Sequence, residues 1–208
     1  MADSATFRLP RLCKDCYRRR MPSPVGHIIA GVATGWVTQA WPGVSGPKRA
    51  AAGALPFVCA LLALAPDADL LLTSHRTVTH SVGVVMAAGL AAAAIARWRR
   101  WPVAASVAVT VVALGSHLAL DWLGRDSSDP IGIMALWPFS QSFFSSGLDL
   151  FMDVSRRYWL FDEIIVHNAK AAARELAIIG PFAAAAWYAR RLSSRAPSPE
   201  SRIPGPPQ

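Results

Sequence analysis

The sequence predicts an all-α protein: a multi-pass membrane bundle of about five helices with a metal site gathered at one end. Three observations carry this. Alanine dominates several runs, and alanine is the strongest helix former. No stretch sustains the apolar/polar alternation of a half-buried strand. Hydrophobic residues make up 53% of the 208-residue chain and charged ones 16%, which is too apolar for a disordered chain and long enough for one domain.

The elements follow in order. Residues 1–20 are basic and lack periodicity. They make no useful signal peptide, because cleavage beyond the next apolar segment would remove His27. Met21 opens MPSPVGH and is the expected start; otherwise residues 1–20 form a disordered extension. Cys13 and Cys16 form a lone C-x-x-C without a second pair and read as incidental, and three cysteines give no disulfide framework. Helix A is expected from about Gly26 to Trp41, and Gly43, Gly46 and Pro47 separate it from helix B, Arg49 to Leu72. Cys59, inside an apolar run, reads as a small core residue. Helix C runs from about Thr79 to Arg97, and helix D from Pro102, which suits a first helical turn, to Leu123. Residues 124–160 form a long connection. Helix E spans about Phe161 to Leu192 with a kink at Pro181. The domain is therefore 21–192, and the Pro/Ser-rich tail, 193–208, is expected to be disordered.

Four apolar stretches suggest the bilayer: Ala50–Leu72, Ser81–Ala96, Trp101–Leu120 and Leu176–Ala189, with a shorter fifth at Ile28–Trp41. A spanning helix needs about 20 such residues, so the shorter runs reach across only with their polar ends in the headgroup zone. A soluble bundle of buried Ala-rich helices is the alternative. The net charge of +8 does not point to nucleic acid. Six of the 21 basic residues fall in the first 20 positions, and seven of the other fifteen lie in short clusters beside apolar runs: Lys48-Arg49, Arg97 to Arg100, Arg190-Arg191. That is charge flanking a membrane. With the helices alternating across a bilayer, those clusters fall on one side. Between Met21 and Leu192 the acidic residues, including Asp149, Asp153, Asp162 and Glu163, fall on the other. The positive-inside rule makes the basic side cytoplasmic, and Trp41, Trp98, Trp101 and Trp187 mark its interface. The expected location is the inner membrane.

The informative residues collect at the opposite ends. They are His27, Asp67 and Asp69 in PDAD, His75 and His80 in SHRTVTH, and His117 and Asp121 in SHLALDWL. Ionisable groups beside apolar segments are costly unless they pair or bind a cation. His117 and Asp121, at i and i+4, project from one helix face and can clasp one ion. Asp67 and Asp69 follow Pro66, where an irregular turn can aim both carboxylates. His75 and His80 share no helical face, but a loop before helix C can bring either inward. Mixed His/Asp sets suit zinc, with manganese or iron as alternatives. Seven candidates exceed the need of one tetrahedral ion, so two ions, or one ion whose ligands the remainder hold in place, fit better. Each residue also has an ordinary use: Asp67 can end helix B, Asp69 can cap a turn, Arg76 can be a surface charge, and His167 reads as interfacial.

At these residues the chain resembles the YdjM-like membrane-bound metal-dependent hydrolases. The resemblance rests on G-H, P-D-x-D, H-R-x-x-T-H-S, S-H-x-x-x-D and a W-P-F segment, in that order over roughly Pro22 to Phe144. It departs at Thr77, usually glycine, and at Ala68, usually larger and apolar. More distantly the order is similar to zinc-dependent phospholipase C and the single-strand-specific zinc nucleases. Those continue with an H-x-x-x-E pair, whereas His167 here has no glutamate four residues on.

The resulting expectation is a hydrolase acting on a phosphoester-type substrate, small or lipid-linked, with water activated by a divalent metal. His27, Asp67, His80, His117 and Asp121 would hold metal. Asp69 would be general base or bridging ligand, Arg76 would stabilise developing negative charge, and His75 would be a further ligand or orient one. The competing class is a non-catalytic metal-binding protein or a metal transporter. The aromatics of LWPFSQSFF either lie over the site as a lid or anchor in the headgroup layer.

Overall fold

The computed structural model describes residues 20–21, 23–40, 49–71, 76–127, 129–155 and 162–195. Among these residues five α-helices carry the fold: α1 (Pro24–Ala40), α2 (Arg49–Leu64), α3 (Val82–Arg99), α4 (Val103–Leu123) and α5 (Asp162–Arg195). The only strands described are two residues each, Arg20–Met21 pairing antiparallel with Val154–Ser155. The fold is all-α, as the alanine runs predict.

Helix ends moved where the local chemistry differs from the apolar pattern. Helix B stops at Leu64 and tightens into a 3-10 stretch over Ala65–Leu71 that carries Pro66, Asp67 and Asp69. A second 3-10 turn, Val78–His80, precedes α3. The α-helix starts only after Ser81, whose hydroxyl accepts the Val84 amide, the usual use of serine at a helix start. Helix α5 continues through Pro181. It runs three residues past the expected end, with the Ser193 and Ser194 hydroxyls donating to the Ala189 and Arg191 carbonyls. Residues 1–19, with Cys13 and Cys16, lie outside the described residues, as do His75 and residues 196–208.

Helix α1 is central, packing on α2, α4 and α5, while α3 lies along α4. The α1–α2 contact is close because α1 offers glycine there. A Cβ on Gly31 would stand 2.6 Å from the Ala60 Cα, so the two backbones touch where any side chain would separate them. Cys59, fully buried, joins Val109 and Ala113 in one core cluster; Val85, Leu114, Leu118 and Ile133 make another.

Outside this core the helices turn large apolar side chains outward, among them Phe57, Leu61, Met86, Leu90, Ile95 and Phe182. Two described helices, α3 and α4, are long and apolar enough to cross a membrane. In their most apolar windows only 17% and 33% of residues are buried, so their surface is apolar where a soluble core helix would be covered. At the basic end the Arg191 guanidinium lies 4.1 Å from the Trp187 ring centroid and Arg99 5.0 Å from that of Trp98, the pairing of cation and aromatic that suits an interface.

The connection after α4 is stitched to the start of α3. Val82 and Gly83 donate their amides to the Ala135 and Trp137 carbonyls, and Met134 donates to the Arg76 carbonyl. These bonds satisfy amides that a helix start leaves unpaired. Ile133 is buried beneath the segment, whereas Phe139 is 92% exposed. The described contacts tie this segment to the start of α3, beside His80.

Candidate metal centre

Five sequence-predicted residues meet at one end of the bundle. His27 is the fourth residue of α1, Asp67 lies in the 3-10 stretch after α2, and His80 closes the turn before α3. His117 and Asp121 come from the last two turns of α4. All are buried except Asp67, which is half-buried. Helix ends deliver every one, which is why a site here needs no long polar loop.

The atoms converge closely. Asp121 Oδ2 lies 3.2 Å from His117 Nε2 and 3.3 Å from His80 Nε2. Asp67 Oδ1 lies 3.6 Å from His80 Nε2 and 3.9 Å from His117 Nε2. Asp121 turns its other oxygen to His27 Nε2 at 3.3 Å, and the His27 and His117 rings stack at 4.0 Å. Tetrahedral ligands at ordinary zinc bond lengths stand about 3.4 Å apart. Among the described residues two sets meet the spacing of metal ligands, His27–Asp67–His117 and His80–His117–Asp121.

Hydrogen bonding separates the inside of the site from its outside. His117 Nδ1 contacts the Ala63 carbonyl at 2.7 Å. A carbonyl only accepts, so that nitrogen carries the proton and Nε2 presents its lone pair to the centre. On the far side of His80, Nδ1 lies 3.3 Å from Asp69 Oδ2, which also accepts from the Thr79 hydroxyl and, at 3.3 Å, from the Arg76 amide. Facing inward, His117 Nε2, Asp67 Oδ1 and both Asp121 oxygens are buried and make no hydrogen bond. Native structures seldom leave such atoms unsatisfied, and a cation satisfies them together. The donor set fits a divalent metal.

The electrostatics agree. Burial would lower the His80 imidazole, but the Asp67 and Asp69 carboxylates beside it outweigh burial and push its pKa up to about 9. Burial would raise the Asp67 carboxyl, yet His80 and His117 hold it below the usual carboxylate range.

The remaining predicted residues sit further out. Asp69 stands behind His80, in contact with its outer nitrogen. Arg76, with a backbone φ of 63°, is buried and pairs with Asp126, which also accepts the Gly132 amide at 2.6 Å. His167 is away from the cluster, its Nε2 donating to the Asp153 carbonyl at 2.8 Å. Glu175, which the motif spacing did not single out, is fully buried on α5 and bonded to Ser23 beside the start of α1. Its only sequence signal was a carboxylate next to Arg174, directly before the apolar run that starts at Leu176.

Neither a curated protein nor a solved structure matches this chain. A family does: that described as YdjM inner membrane protein, over residues 21–196. That span holds all five converging residues, both apolar helices and Glu175, and on it the chain belongs to the YdjM inner membrane protein family.

Proposed function

We propose that the protein is a multi-pass, metal-dependent hydrolase of the inner membrane, acting on a phosphoester-type and lipid-linked substrate. The observation that carries it is the set of inward-facing, unbonded His117, Asp67 and Asp121 atoms, together with His80 Nε2 within 3.6 Å of both carboxylates. His80, His117, Asp67 and Asp121 would hold the ion, with zinc the first choice and manganese or iron the alternatives. A divalent metal bound there supplies Lewis acidity and lowers the pKa of water towards ~7.

The chain's own groups do the rest. The Ala63 carbonyl and Asp69 keep the His117 and His80 rings turned to the centre. His27 Nε2 stands 3.3 Å from the second oxygen of Asp121. Arg76 brings positive charge to the same end, and its link to Asp126 fixes the turn before His80. His117 has one nitrogen left after its bond to Ala63, so the two ligand sets that share it select from one centre, and one ion per chain is expected.

Placement at helix ends favours hydrolysis over transport, because transport would favour ionisable groups near mid-span on facing helices. The basic clusters lie at the other ends of the helices, which supports a site on the non-cytoplasmic side at headgroup depth. The test is metal content of the detergent-purified chain together with hydrolysis of bis-(p-nitrophenyl) phosphate. One equivalent of metal and turnover that is lost on chelation are expected. Bound metal without turnover on this or any lipid phosphoester would favour a structural metal protein, and absence of metal would overturn the centre itself.

A further inference from the structure

The start of α1 has the sequence Ser23-Pro24-Val25-Gly26-His27. Ser23 caps the helix: its hydroxyl accepts the Gly26 amide at 3.3 Å, three residues on. In a capping box the residue at that third position is Glu or Gln, which reaches back to the cap residue's own amide. Here the position is Gly26 and has no side chain. The carboxylate comes instead from another helix, 152 residues away. Glu175 Oε1 accepts the Ser23 amide at 2.6 Å, and Oε2 accepts the Ser23 hydroxyl. Gly26 is what admits it, since a Cβ there would stand 2.9 Å from Oε2. Glu175 is fully buried, and a negative charge there complements the helix N-terminus.

The next residue is His27, which faces Asp121 Oδ1 at 3.3 Å and stacks on His117. We infer that Glu175 is a positioning residue for the metal centre: it completes the cap of α1 in trans and thereby sets where His27 meets Asp121. This rests on the metal centre proposed above. It assigns the α5 carboxylate a role that no ligand spacing in the sequence reveals.

Glu175→Gln tests it, keeping the volume but removing the charge and one acceptor. In the full-length protein in detergent, Co(II) should bind about tenfold more weakly, since partners that orient a metal's ligands are worth about 10–100-fold, and its visible absorption band should shift. Ser23→Ala should act in the same direction. Gly26→Ala should weaken binding in the native background, by displacing the carboxylate, and much less in a Glu175→Ala background. If Glu175→Gln folds poorly, that Gly26 pair, read as a difference, carries the test. His117→Ala is measured alongside. If it abolishes Co(II) binding while Glu175→Gln and Gly26→Ala leave affinity and spectrum unchanged, the positioning role is overturned and the centre stands. If His117→Ala binds Co(II) normally, the centre itself falls, and hydrogen exchange at the Gly26 and His27 amides still decides the cap: faster exchange in Glu175→Gln supports it, unchanged exchange overturns it.

Discussion

Asp69→Asn is the sharpest test of how the centre is built, because two of its effects oppose each other and the structure says where each dominates. Asp69 Oδ2 lies 3.3 Å from His80 Nδ1 and accepts from Thr79 and from the Arg76 amide. Replacing it loosens the ring that presents Nε2 to the metal, a loss of about 10–100-fold in affinity, or about 1.4–2.7 kcal/mol. The same carboxylate helps push the His80 pKa up to about 9, and a protonated imidazole cannot bind metal. At pH 7, two units below that value, proton competition costs the native site about 100-fold in apparent affinity. Removing Asp69 relieves part of that cost, with Asp67 and Asp121 still beside His80.

The two effects therefore offset near pH 7 and separate near pH 9. Native affinity should climb about tenfold per pH unit from 7 to 9 and then flatten. The variant should climb less and end 10–100-fold weaker at pH 9. Competition of Zn(II) against a chromophoric chelator, at fixed ionic strength, measures both curves. The metal-free fold should respond in the opposite sense. With a folded-state pKa above the ordinary 6.5, His80 contributes stability that is complete below about 6.5 and lost as pH rises through about 9. Parallel native and variant curves, with turnover lost and metal retained at every pH, would make Asp69 a general base and refute the orienting role.

Other expectations are simpler to read. His117→Ala and Asp121→Ala should each remove bound metal and activity, whereas His167→Ala, whose ring only reaches Asp153, should do neither; metal analysis of the purified variants decides. Gly31→Leu should destabilise the α1–α2 contact by about 1–3 kcal/mol or more through overpacking, because its first side-chain carbon already meets the Ala60 Cα at 2.6 Å; unchanged thermal unfolding in detergent would refute that close contact. A reporter active only outside the cytoplasm should give signal after Asp126 and none after Arg99, and the reverse would place the site in the cytoplasm.

Periodicity and hydropathy made the five helices legible to within a few residues at most ends. They failed at the two places where polar groups take over from apolar pattern. Pro66 and the Asp67/Asp69 pair turn the end of helix B into a 3-10 stretch, and Ser81 delays α3 until after His80. Both deviations lie at the site. They turn the Asp67 carboxylate and the His80 imidazole inward, off the line that a continuing α-helix would impose.

The centre divides in the same way. His117 and Asp121 were legible because a helix converts spacing directly into a shared face. Convergence of His27, Asp67 and His80 on that face was legible only as chemistry, from ionisable groups recurring at apolar ends. What spacing could not show is which atoms point inward. For His117 that choice is made by a partner distant in sequence, the Ala63 carbonyl on Nδ1, 54 residues away. Asp69 is the instructive case. The sequence made Asp67 a metal holder and Asp69 a general base or bridging ligand, and two residues of tight turn put Asp67 Oδ1 among the inward-facing atoms and Asp69 Oδ2 on the outer nitrogen of His80. In the proposed centre one carboxylate would hold the ion and the other would hold its ligand, a division of labour that only the folded turn creates.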